Sequence, residues 1–149
     1  MLRRSVVAFQ PDTVITHWFD DVHPDHAAVF QIVLRALVQH ATETPAFGAG
    51  LVKFPRVFCC DTYASVGLHG RFVPNHFVDI TSVHANKVAA TRAHASQPVP
   101  YFLDMVEKQC RAHGVVTATT FAEAFLHVPL FGDRDDGPPL GGLAAISTV

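Results

Sequence analysis

Charge is scarce in this sequence. Asp, Glu, Lys and Arg make up only 16% of its 149 residues and the formal net charge is -2, so there is no basic field to hold a polyanion and nucleic-acid binding is not expected. Cysteine is scarcer still. Cys59, Cys60 and Cys110 form neither a CxxC pair nor an even disulfide set, which points to buried structural thiols in a reducing, cytoplasmic setting. Long apolar runs are missing too: the best candidate, Ala27 to Val38, is interrupted by Gln31 and Arg35 and is too short to cross a bilayer. Met1-Leu2-Arg3-Arg4 leads into only a brief apolar stretch, so no leader is expected. There is no internal repeat and no run of consecutive histidines. What remains, 49% hydrophobic residues with a mean hydropathy of +0.23, is the composition of one globular domain with an ordinary core.

Histidine, by contrast, is plentiful. Ten are scattered from position 17 to 127, and three of them fall within Thr16-His17-Trp18-Phe19-Asp20-Asp21-Val22-His23-Pro24-Asp25-His26. Pro24 suits the first position of a helix, where its missing N–H costs nothing, so His23 becomes the capping residue and His26 falls in the first turn. Both rings can then face one pocket. Neutral imidazole is a common zinc ligand, and an adjacent carboxylate fixes its tautomer and raises its basicity. A purely structural reading, in which these side chains cap and solvate a helix start, competes with the catalytic one at this stage.

Along the chain, Thr13 to Thr16 reads as a short β-branched strand that delivers His17 to Asp21 at its C-terminal end, where open α/β sheets carry their active-site loops. Pro24 to about His40 is helical with a narrow polar stripe of Gln31, Arg35 and Gln39. Thr42 to Pro55 is a loop, Arg56 to Cys60 a buried strand, and Asp61 to Asn75 another loop. His76 to Ile80 is a strand, with Thr81-Ser82 placed to cap a helix from Val83 to about Ala95. A third helix spans Tyr101 to Ala112 with Gly114 as its stop signal, and Thr119 to Val128 is the last strand. Residues 132–149, rich in Gly, Pro and Asp, read as a flexible tail after a domain of residues 1–131.

Three of these segments, "PDTVITHWFDDVHPDHAAVFQIV", "FVDITSVHANKVAATRAHASQ" and "GVVTATTFAEAF", resemble in order and spacing the C-terminal part of the LmbE-like (PIG-L) family of zinc-dependent de-N-acetylases. The resemblance covers roughly residues 5 to 131. It implies an α/β, three-layer Rossmann-like fold, and hydrolysis of the acetamide of an N-acetylated amino sugar by zinc-activated water. It also implies roles for the motif: His26 as a zinc ligand, His23 as the group that stabilises the oxyanion and protonates the leaving amine, and Asp25 as the residue that orients His23. His17, Asp21, Arg71 and His94 become candidates for substrate contact, with Asp20, Asn75, His76, Ser96 and Gln97 as weaker ones, while Glu123 is read as bonding the scaffold rather than shaping the site.

One element of the pattern has no counterpart. The family opens with a strand ending in Ala-His-Pro-Asp-Asp, which supplies the other two zinc ligands and the general base, and the only His-Pro-Asp here is at 23 to 25. Catalytic zinc needs three protein ligands and an open position. This chain alone is therefore expected to be inactive and truncated at its N-terminal β-α units, as a gene fragment, one half of a split enzyme, or a noncatalytic interaction module. Its uncovered sheet edge then favours self-association or a complementing N-terminal chain. A further reading is an unrelated metal protein using His17, His23 and His26.

Overall fold

The structure is a computed structural model and describes residues 2–42 and 54–130. The expected tail and most of the expected 42–55 loop lie outside the described residues. The elements run α1 (Leu2–Phe9), β1 (Thr13–Thr16), α2 (Pro24–Thr42), β2 (Arg56–Cys60), a single 3-10 turn (Tyr63–Ser65), β3 (His76–Asp79), α3 (His84–Arg92), α4 (Val99–Thr117) and β4 (Ala122–Val128). The strands form one sheet in the order β1-β2-β4-β3. Only β1 and β2 pair in parallel, through Thr13↔Arg56 to Thr16↔Cys59, whereas β4 runs antiparallel to both β2 and β3. The sheet is thus mixed rather than the parallel one that a Rossmann-like reading suggests.

Alternation along β2 divides the core between the two faces. Val57 and Cys59 point one way, and Cys59 packs with Trp18, Phe30 and Phe72 in a cluster flanked by Leu34, Leu126 and Val128. Trp18 meets Phe72 edge to face with ring centroids 5.3 Å apart. Phe58 points the other way, fully buried, against the rings of His76 and His127. Helix α2 packs on β1 and α1, while α4 packs on β4 and β3. The polar stripe expected on α2 is exposed at Gln31, Arg35 and Gln39, whereas Leu37 is fully buried.

Several boundaries differ from expectation for identifiable reasons. Helix α4 does not stop at Gly114; it continues to Thr117 and ends at Ala118, whose φ is 56°. Gly114 is buried inside the helix because a Cβ there would lie 2.7 Å from the carbonyl oxygen of Thr120 and 2.8 Å from that of Thr119. Its missing side chain serves close approach, not termination. Thr81 does not cap α3, whose N-cap is Val83 without a side-chain bond. Its hydroxyl is used instead on Phe121, donating to the carbonyl at 3.4 Å and accepting from the N–H at 3.2 Å. Helix α1 forms where the sequence shows only a brief apolar run.

Strand β1 is an outer strand of the sheet, and among the described residues no strand pairs with its other side. Ile15, in the middle of it, is half exposed. An unpaired edge of this kind is a place where another strand can add.

Candidate metal centre and adjoining cavity

Because β1 and β2 are parallel, the loops that follow them emerge at the same end of the sheet. His17 follows the last residue of β1, and Asp61 and Thr62 follow the last residue of β2. The loop after β1 is braced by the segment around Gly67: Asp21 and Gly67 form an isolated antiparallel bridge, and Leu68 N–H donates to the Asp20 carbonyl at 2.9 Å. Gly67 lies so close over Trp18 that an added Cβ would sit 2.4 Å from the indole. The chain then enters α2 as the sequence implies. Pro24 occupies the first helical position, and the His23 carbonyl accepts from the N–H groups of His26 and Ala27 at 3.0 and 3.3 Å.

This geometry gathers His17, Asp21 and His26, each with a ligand-type atom within 4.8 Å of the others. The rings of His17 and His26 stack at 3.9 Å with 9° between planes, and His23 stacks on His26 at 4.6 Å. Asp21 is 1% exposed and lies behind His26. Its Oδ1 accepts the backbone N–H of His23 at 2.8 Å, and its Oδ2 accepts the Thr62 hydroxyl at 2.6 Å and faces His26 Nδ1 at 2.9 Å. Burial alone would raise the Asp21 carboxyl, but the bonds from Thr62, His23 and His26 outweigh it and hold it below the ordinary carboxylate range.

The donor set fits a zinc ion in part. His26 spends Nδ1 on Asp21, which leaves Nε2 as a ligand atom, and His17 offers a second imidazole beside it. Asp21 accepts hydrogen bonds at both oxygens and so braces the His26 ring, while its carboxylate is also one of the three groups placed to hold a metal ion. A catalytic zinc site needs three protein ligands. His23 does not join the cluster: it is exposed, and its Nδ1 accepts the Asp25 N–H at 3.3 Å. Among the described residues the Asp25 carboxylate makes no hydrogen bond to His23, so the contact between the two is made by the backbone.

His23 and His26 line one wall of a cavity of about 530 Å³, which Tyr63, Lys87, Thr91, His94, Gln97, Phe102 and Val106 help to complete. Of the candidates for substrate contact, His94 lies on this cavity, as does Gln97. Arg71 does not line it; it sits in a bridge with Val66. Glu123 is ion-paired with Lys87. Sequence reasoning passes over Lys87 and Thr91, although they lie four apart on one face of α3, a detectable signal; His94 follows just beyond the end of that helix. It also passes over Thr62 and Tyr63, which lie about forty residues from the motif and carry no local signal. The three cysteines are free, and burial pushes the Cys59 thiol up to about 12, far from reactivity.

Burial also lowers the His17 imidazole below its ordinary value of 6.5; His26 adds to the shift while Asp21 opposes it. An unfolded chain therefore takes up this proton before the folded one does. The stability contributed by neutral His17 is complete above pH 6.5 and is lost as pH falls through the lowered folded value. His17→Gln is expected to flatten the stability profile just below pH 6.5, as read from urea unfolding midpoints at a series of pH values. An unchanged slope would show that His17 titrates alike in both states.

No protein-family model and no curated protein matches the sequence. Solved structures do share the fold. A structure of GalB, the 4-carboxy-2-hydroxymuconate hydratase from Pseudomonas putida KT2440, superposes with a TM-score of 0.71 at 22% identity, over 91% of this chain and 60% of that one. The conserved protein TT1542 from Thermus thermophilus gives 0.70 at 24% identity, over 87% and 56%. The N,N'-diacetylchitobiose deacetylase from Pyrococcus horikoshii, complexed with its inhibitor MPG, gives 0.65 at 20% identity, over 86% and 49%. The chain thus carries the LmbE-like α/β fold and spans about half to three-fifths of the length of these structures. Among the described residues no helix is long and apolar enough to cross a membrane.

Proposed function

We propose that this chain is the His-Pro-Asp-His half of an LmbE-like zinc de-N-acetylase, acting on an N-acetylated amino sugar once other residues complete its metal site. The observation that carries the reading is a pair of imidazoles on one cavity wall whose hydrogen-bond partners favour opposite tautomers. His26 has Nδ1 turned to a buried carboxylate, so its Nε2 is free to bind a metal. His23 accepts a backbone N–H at Nδ1, so in its neutral form the proton sits on Nε2. One ring is thus prepared as a ligand and its neighbour as a hydrogen-bond donor to a carbonyl oxygen as negative charge develops there. Zinc, when bound, would polarise the acetamide carbonyl and lower the pKa of its water to about 7. Tyr63 and Phe102, with ring centroids 5.8 Å apart, offer an apolar surface beside the reacting groups, and Thr91, His94 and Gln97 offer hydrogen-bonding partners for hydroxyls.

The fold shared with a diacetylchitobiose deacetylase supports this reading, and the fold shared with a hydratase supports a second, addition of water to an unsaturated carboxylate. Lys87 is the permanent cation among the residues lining the cavity, but Glu123 neutralises it. A polycarboxylate would find no unpaired permanent charge there, which favours the neutral acetamide. The missing ligands and the general base belong, in this reading, to a strand added at the free side of β1, supplied by another segment or chain. The sheltered free thiols are in keeping with a cytoplasmic protein.

The test is acetate release from N-acetylglucosamine derivatives with added zinc, by the 149-residue chain alone and with a polypeptide supplying a strand that ends in Ala-His-Pro-Asp-Asp. No turnover is expected alone. With the complement, turnover is expected and should fall at least about 100-fold in His26→Ala. Acetate release by the unaided chain would refute the ligand count. Hydration of an unsaturated carboxylate by the complemented protein, without acetate release, would favour the second reading.

A further inference from the structure

The hydrogen bonds of Asp21 fix more than its own position. A carboxylate only accepts hydrogen bonds, so the hydrogen shared between Asp21 Oδ2 and His26 Nδ1 resides on the imidazole. That oxygen also takes the hydroxyl of Thr62 at 2.6 Å, and Oδ1 takes the His23 N–H at 2.8 Å. Two of the three donors come from the α2 end of the chain. The third comes from 41 residues away, on the loop after β2, and it is held there by a second carboxylate whose side chain is only 10% exposed. Asp61 accepts the Thr62 N–H at 2.7 Å, the Ser65 hydroxyl at 2.8 Å, Gln109 Nε2 at 3.0 Å and His113 Nε2 at 2.8 Å. Gln109 Nε2 also donates to the Thr62 carbonyl at 2.7 Å. The loop after β2 is therefore pinned to α4 on both sides of the Thr62 side chain.

We propose that Thr62 is a positioning residue for His26: its hydroxyl, anchored to α4 through Asp61 and Gln109, locks the Asp21 carboxylate in the one rotamer that keeps the His26 proton on Nδ1. With the hydroxyl in place, Oδ2 has two donors converging on it and the carboxylate cannot rotate without breaking both. Without it, the carboxylate is held at that oxygen only by the ring it is meant to orient. The imidazole can then exchange its proton between nitrogens, and Nε2 carries a hydrogen for part of the time and is lost as a ligand atom. The functional weight of this lock rests on His26 being the metal ligand proposed above, but the lock itself is a property of the metal-free chain.

Long-range ¹H–¹⁵N correlation spectra of the 149-residue chain, labelled with ¹⁵N-histidine and recorded above neutral pH, report the tautomer directly; His26 is assigned by its disappearance in His26→Gln. In the wild type, Nδ1 should appear as the protonated nitrogen and Nε2 as the bare one, well separated. In Thr62→Val the two should collapse toward a common value, and in Thr62→Ser the separation should return. A wild-type His26 with its proton on Nε2, or with averaged nitrogens, overturns the proposal whatever the variants do, including a Thr62→Val chain that fails to fold. So does a folded Thr62→Val chain with lowered thermal stability and unaltered His26 shifts, because Thr62 would then be only structural. Since neither zinc nor acetate is measured, a negative result leaves the deacetylase reading standing, and failure of that reading leaves this result intact.

Discussion

Replacing Gly114 by alanine is expected to destabilise the chain by about 2–3 kcal/mol, although helix propensity alone would have it stabilise by about 1 kcal/mol. The two figures have opposite signs, which makes the experiment decisive. Gly114 lies within α4, and in an isolated helix alanine is the better residue because glycine loses more backbone freedom on folding. Here the added Cβ would meet two carbonyl oxygens of the returning chain, at 2.7 and 2.8 Å. Those atoms are backbone, so they cannot swing aside as the end of a long side chain can. The Thr119 N–H bonds the Gly114 carbonyl at 2.9 Å, so any shift also strains the turn that leads into β4. Gly114→Val should go further and remove the cooperative unfolding transition, since β4 is the strand that joins β2 to β3. Denaturant midpoints measure the effect, and a midpoint for Gly114→Ala at or above that of the wild type would show that the close approach does not exist in solution.

Asp21→Ala is expected to cost about 3–5 kcal/mol. It deletes an acceptor that serves three donors, the Thr62 hydroxyl, the His23 N–H and His26 Nδ1, in a place where water does not replace it. Leaving a buried donor unpaired costs about 1–3 kcal/mol each, and the sum falls short of additive because the loop relaxes. The pH dependence gives an independent signature. The hydrogen bonds hold the folded-state carboxyl below its ordinary value of 3.8, so its stabilising contribution is complete above that value and is lost as pH falls through the lowered one. The wild type should lose stability along this acid limb, and Asp21→Asn should lose less of it. A stability within about 0.5 kcal/mol of the wild type for Asp21→Ala would mean that the cluster is solvated and does not organise the loop.

Much of the site is legible in the sequence because its informative residues are close together there. Pro24 marks the start of α2, and from that alone His23 and His26 fall on the helix entrance, as observed. The β-branched run Thr13 to Thr16 is the strand that delivers His17, and the buried run Arg56 to Cys60 is its parallel neighbour. Lys87 and Thr91 can be paired with each other by following helical spacing along α3. Asp21 is legible only as a polar residue on the right loop; its burial and its three donors are not.

Local patterns determined the elements, the helix entrance and the presence of two imidazoles beside each other, because turn chemistry, side-chain alternation and helical periodicity act over a few residues. How the Asp21 carboxylate is held from its far side, and which strand is left at the edge, were decided only when segments far apart in the chain met. Thr62 reaches Asp21 across 41 residues because the loop after β2 is pinned to α4. No spacing along the sequence encodes contacts of that kind, since hydrogen bonds and steric contacts depend on distance in space.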